Sequence, residues 1–141
     1  MLADNLAERL KKGELIEEAL SSHDWKDFER IVEEIFQFHG FATKRNFRFK
    51  NEKRYEIDII AESDSVVFCV DCKRWGKGRY KHYALRKAAE RQMERASKIA
   101  SSKRTIPLII TLMDEQMQSQ QVYFIPIWKL NEFLSCWEMY F

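Results

Sequence analysis

The chain is poor in the residues that bend or staple a backbone: 141 residues include only 4 glycines, 2 prolines and 3 cysteines. So little glycine and proline excludes collagen-like and low-complexity classes, and 45% hydrophobic content excludes a disordered one. Cys69, Cys72 and Cys136 are odd in number and follow a polar N-terminus unlike an export signal, which argues against a disulfide framework and for reduced thiols. No apolar run approaches the roughly 20 residues that a membrane-spanning helix needs. The expectation is therefore a cytoplasmic protein with no membrane partner. Charge of either sign is barely in excess, with 24 Lys and Arg against 22 Asp and Glu. That sum alone names no partner.

What the chain does have is alternating helical and strand patterns over a length that suits one domain. Leu2, Leu6 and Leu10 begin an apolar stripe that predicts a helical arm over residues 1–23. Residues 24–141 then read as the main domain. Its first helix carries Trp25, Phe28, Ile31, Val32, Ile35 and Phe36 on one stripe and ends at Gly40. Three strands follow, Phe41–Phe49, Tyr55–Ala61 and Val66–Lys73, joined by short polar turns. An Ala-rich stretch over 81–101 predicts a long helix, and the apolar segments Thr105–Leu112 and Val122–Ile127 predict two more strands before a final short helix. A meander followed by a crossover helix and further strands needs helices on both faces of a mixed sheet. The expected fold is α/β.

Two carboxylates stand inside the strongest strands, Asp58 between Ile57 and Ile59, and Asp71 between Val70 and Cys72. A buried carboxylate is costly unless it meets a cation or hydrogen-bond donors, and here the demand arises on neighbouring strands. Alternation sends Asp71 and Lys73 to one face, while Cys72 offers that side its backbone carbonyl. Two carboxylates and a carbonyl suit Mg2+ or Mn2+. Lys73 beside such an ion would orient or deprotonate a water, or offset charge on a phosphate, and the residues alone do not choose among these roles. Glu29 lies at the margin of the first helix's apolar stripe and is the better-placed third acid than Glu33 or Glu34. The plain alternative is structural ion pairing, Asp58 with an arginine and Asp71 with Lys73.

Asp58, twelve residues, and then Asp71-Cys72-Lys73, preceded by Phe28-Glu29 and His39-Gly40-Phe41, resembles the PD-(D/E)XK nuclease superfamily. Within it the pattern is similar to Mrr-type restriction endonucleases and archaeal Holliday-junction resolvases. The likeness covers about residues 24–127. It implies a three-layer α/β/α restriction-endonuclease-like core and a metal-dependent DNA endonuclease. Asp58, Asp71, Glu29 and the Cys72 carbonyl would hold Mg2+ or Mn2+, and Lys73 would serve the attacking water. Gln92 matches a glutamine found on the following helix in some members. Ile57 stands where proline is usual, and the second acid is Asp71 rather than the commoner Glu. The alternative within the same fold is a noncatalytic DNA-binding module.

The near-neutral sum hides an asymmetry. Residues 1–34 hold ten acids and five bases, whereas residues 41–55 hold six bases (Lys44, Arg45, Arg48, Lys50, Lys53, Arg54) against Glu52. From Lys73 to Arg91 there are eight bases, including Arg74, Lys77, Arg79 and Lys81, opposed by Glu90 alone. Such clusters bind phosphate backbones, and Trp75, Tyr80, His82 and Tyr83 are interleaved as stacking or hydrogen-bonding groups. Lys44, Arg45, Arg48, Arg74, Lys77, Arg79 and Lys81 are thus the candidate DNA contacts, to which the family resemblance adds Gln92. Cys69-x-x-Cys72 has a zinc-site spacing, but within one strand the two thiols face opposite ways. The apolar tail Phe133–Phe141 suits either packing on its own core or a homodimer interface.

Overall fold

The computed structural model describes residues 25–75 and 82–141. The arm expected over 1–23 and the loop residues Lys77, Arg79, Tyr80 and Lys81 lie outside the described residues. Helix α1 (Trp25–Phe38) buries Phe28, Ile31, Val32, Ile35 and Phe36, a spacing of three and four that makes one apolar stripe. It ends where the sequence places its stop: Gly40 has φ +89°, its N–H bonds to Gln37 O at 2.9 Å, and the Phe41 N–H bonds to Phe36 O at 3.1 Å. This double bond pattern satisfies the last carbonyls, and the Phe36 and Phe41 rings close it edge to face at 5.7 Å.

The next elements are β1 (Ala42–Asn51), β2 (Lys53–Glu62), β3 (Val66–Cys72), α2 (His82–Ser97), β4 (Arg104–Thr111), β5 (Met117–Ser119), β6 (Val122–Pro126), α3 (Ile127–Ser135) and a terminal 3-10 turn, Trp137–Tyr140. They form one sheet in the order β1-β2-β3-β4-β6-β5. β1, β2 and β3 run as an antiparallel meander, β3, β4 and β6 are parallel, and β5 closes the far edge antiparallel to β6. Sequence reading lacked β5, because Met117-Gln118-Ser119 is too short and polar to alternate. Its turn is marked by positive φ at Gln120 and Gln121, which suits a tight hairpin.

Helices α1 and α3 cover one face with a continuous core that includes Phe36, Phe41, Ile59, Phe68, Val70, Leu108, Ile110, Ile125 and Phe133. Helix α2 covers the other face, giving the three-layer α/β/α architecture. The apolar tail packs on this chain's own core: the Trp137 ring meets Phe68 at 5.3 Å, and Phe141 meets Tyr123 at 5.4 Å. Of the tail's large apolar residues Met139 is the most exposed, at 85%.

The β1–β2 hairpin changes face midway. Ile59 belongs to the α1 side, yet Ile57 packs on the α2 side with Cys69, Ala96, Phe47 and Phe49. Two residues apart in a regular strand would share a face. The reversal falls at Asp58 and at the residue opposite it, Asn46, whose φ of 53° lies in the left-handed region that asparagine tolerates. Asp58 therefore sits where the ribbon rotates, between the two faces.

Candidate functional site

The β2–β3 ladder has its last pair at Ile59 and Val70, so Asp58 and Asp71 are the residues on which it opens. In place of a ladder bond, the Cys72 N–H donates to Asp58 Oδ2 at 2.9 Å. A residue whose N–H faces a neighbouring strand turns its carbonyl the same way, so Cys72 presents both groups on the Asp58 side. Lys73 continues the strand geometry past β3, its N–H bonding to Ile110 O at 2.8 Å. That continuation brings its ammonium onto the Asp71 side, with Nζ 3.3 Å from Asp71 Oδ2. Arg95 of α2 approaches the other oxygen, Nη1 to Asp71 Oδ1 being 3.9 Å.

Asp71 is buried, and its Oδ2 is a buried oxygen that accepts no hydrogen bond, the Lys73 contact being an ion pair without hydrogen-bond geometry. Asp58 is pushed up to about 6, first by burial and then by the adjacent Asp71 carboxyl, against the pull of the Cys72 N–H and of Arg95. Glu29, on the margin of α1, is also raised, first by burial and next by Asp58, with Arg45 opposing and Glu56 adding to it. A raised Asp58 carboxyl, an adjacent Asp71 with an orphaned oxygen, and a third acid in the field of Asp58 make a donor set that a hard divalent cation would relieve. Among the described residues, no three of His, Cys, Asp and Glu already stand close enough to form a ligand cluster. The acids meet as a pair, Asp58 with Asp71, and Glu29 enters through its field.

Gln92 corrects its expected role. It is fully buried, and its Nε2 donates to Cys69 O at 2.6 Å and to Leu108 O at 3.2 Å, tying α2 across β3 and β4. Its Oε1 accepts from Arg95 Nη1 at 3.1 Å. Fully enclosed, it has no surface to offer DNA, and its bond to Arg95 holds that side chain toward Asp71. Sequence reading missed Arg95. The signal available was its position three residues after Gln92, one helical turn along the same face.

The basic candidates separate. Lys44 and Arg74 are exposed, and Arg48 is exposed with Nε 3.4 Å from Glu56. Arg45 is engaged with Glu33 at 3.0 Å, a lock between β1 and α1 that Thr43 reinforces by donating to Glu33 at 2.7 Å. Trp75 is also spent internally: its ring stacks on Phe124 at 6.2 Å and its carbonyl accepts the Leu112 N–H at 2.8 Å. Tyr83 and His82 are exposed at the start of α2. Cys69 and Cys72 occupy different cores on opposite faces, and burial pushes Cys69 up to about 12 and Cys72 well above the usual thiol range. Neither is a ready thiolate ligand.

A family model described as restriction endonuclease, of the Mrr catalytic type, matches residues 20–113. An uncharacterized protein of Archaeoglobus fulgidus is 36% identical over 115 residues, covering 79% of this chain and 89% of that protein. A crystal structure of a protein of unknown function aligns with a TM-score of 0.46 at 26% identity, over 59% of this chain and 44% of the solved one. With the match spanning both acidic strands and Lys73, this chain belongs to the Mrr-type restriction endonuclease family of the PD-(D/E)XK nuclease superfamily.

Proposed function

We propose that this domain is a Mg2+- or Mn2+-dependent endonuclease that hydrolyses DNA phosphodiester bonds, with Asp58, Asp71, the Cys72 carbonyl and Glu29 as the cation's ligands. The observation that carries the reading is the Asp58–Asp71 pair, where burial and mutual proximity hold one carboxyl up to about 6 while the other keeps an unbonded oxygen. When bound, a divalent cation would supply positive charge against the phosphate and make a nearby water more acidic.

The chain's own groups do the remaining work. The Cys72 N–H fixes Asp58, and Arg95, itself held by Gln92, fixes Asp71, so that both carboxylates are set before substrate arrives. Lys73, 3.3 Å from Asp71, is placed to donate to the attacking water and to the phosphate oxygen on which charge accumulates. Lys44, Arg48 and Arg74 support DNA through its phosphates, joined in the sequence by Lys77, Arg79 and Lys81. A homodimer is the simplest means of cutting both strands, since one site cuts one.

The test is incubation with supercoiled plasmid, linear duplex and a four-way junction in Mg2+ or Mn2+, beside Asp58→Ala and Lys73→Ala. Cation-dependent cutting by the wild type and loss in both variants is expected. Salt-sensitive binding with no product would instead favour a noncatalytic DNA-binding module, and equal cutting by the variants would refute the site.

A further inference from the structure

Beyond the face reversal at Asp58, the two sides of the β1–β2 ribbon carry different loads. Phe47, Phe49, Tyr55 and Ile57 turn toward α2, where Phe49 stacks on Tyr55 at 5.2 Å and Ile57 is buried with Ala96. The tip is pinned there as well: Asn51 Nδ2 donates to Lys98 O at 3.1 Å, and Lys53 Nζ lies 3.3 Å from Glu94. By alternation Arg48, Lys50, Arg54 and Glu56 occupy the opposite side, and all four are exposed. Glu56 lies two residues before Asp58 on β2, so this side leads along the strand to the acidic site.

On that side Lys50 pairs directly across from Arg54, with Arg48 across from Glu56. Like charges directly opposite on antiparallel strands destabilise the pair. Lys50 and Arg54 have no ion-pair partner among the described residues, and only Arg48 is offset, by Glu56 at 3.4 Å. A ribbon clamped on one side, carrying uncompensated like charges on the other, is costly by itself and is relieved by an anionic chain laid along it. Arg54 is four residues from Asp58, roughly 13 Å at about 3.3 Å per residue. That span corresponds to about four base pairs at roughly 3.4 Å of rise.

We propose that this outer side of the β1–β2 ribbon is a phosphate track for duplex DNA, with Lys50 and Arg54 contacting backbone phosphates about four base pairs from the bond held at Asp58. The proposal rests on the nuclease reading for its direction, but its binding test does not depend on cleavage. In Asp58→Asn protein, which keeps the chain otherwise intact, binding of a labelled 20-base-pair duplex is measured from about 50 to 300 mM salt. Lys50→Gln with Arg54→Gln is compared with the parent and with Lys129→Gln, a control on α3.

The track predicts that the double variant flattens the slope of log affinity against log salt by about 2, each lost phosphate contact contributing about 0.9. The control slope should stay unchanged, and the circular dichroism melting temperature of the double variant should be equal or higher. An unchanged slope in the double variant, or an equal fall per charge in the control, overturns the track. A flattened slope in a protein that cuts no substrate retains the track and removes the nuclease reading. Cutting with an unaltered slope does the reverse.

Discussion

The two faces of the sheet are built differently. On the α1–α3 side one apolar core runs without interruption and is tied together by rings, Phe68 alone meeting Phe36, Phe41, Phe133 and Trp137. On the α2 side the apolar residues fall into two smaller groups, one around Leu85, Ile109 and Phe124 and one around Ile57, Cys69 and Ala96. Asp71, Gln92 and Arg95 form a polar contact between α2 and the middle of the sheet, in addition to the Lys53–Glu94 pair near the hairpin tip. The larger apolar core lies on the first face and the candidate site's Asp71 and Arg95 on the second, with Asp58 at the rotation that connects them.

The sharpest way to break this comparison is to remove a group that carries chemistry but little packing. Lys73→Ala is expected to lower cation-dependent cleavage by about 10²–10⁴-fold while leaving the melting temperature nearly unchanged, as read by plasmid cutting and calorimetry. The reciprocal change is Phe68→Ala, which should cost about 3–5 kcal/mol in denaturant unfolding, with the folded fraction still competent to cut at low temperature. If Phe68→Ala proved mild and Lys73→Ala unfolded the protein, the division of labour would be wrong.

Gln92→Leu tests the crossing point. It leaves the Cys69 and Leu108 carbonyls without their donor and frees Arg95, so a loss of about 1–3 kcal/mol is expected together with reduced cleavage. A smaller effect of opposite sign is expected at Asp58. Its carboxyl is raised to about 6 from an ordinary 3.8, so the folded protein holds that proton more tightly than the unfolded chain. The stabilisation is therefore complete below pH about 4 and is lost as pH rises through about 6. Asp58→Asn should remove this dependence and, without added metal, melt higher than the wild type above pH 7. Parallel melting curves from pH 4 to 8 would contradict it.

Much of this was legible in the residues. Acids inside apolar strands are conspicuous because burial makes them expensive, and Asp71-Cys72-Lys73 follows strict alternation, so the shared side of Asp71 and Lys73 could be read directly. The face reversal could not, because it depends on a left-handed backbone at Asn46, a conformation that asparagine permits without requiring. For the same reason Phe47 and Phe49 could be placed on one side of the ribbon, but not on the side of α2. Gln92 looked like a polar group available to substrate. Only the closeness of α2 to two strand carbonyls turns it into an internal tie.

The central claim is that the Asp58–Asp71 pair is built for a divalent cation. Its most direct test is the melting temperature of the wild type and of Asp58→Asn at pH 7.5 over a Mn2+ titration without DNA. Binding to the native state should raise the wild-type value progressively with metal concentration and leave Asp58→Asn, which starts higher, unmoved. Equal shifts in the two proteins, or none in the wild type, would contradict the claim.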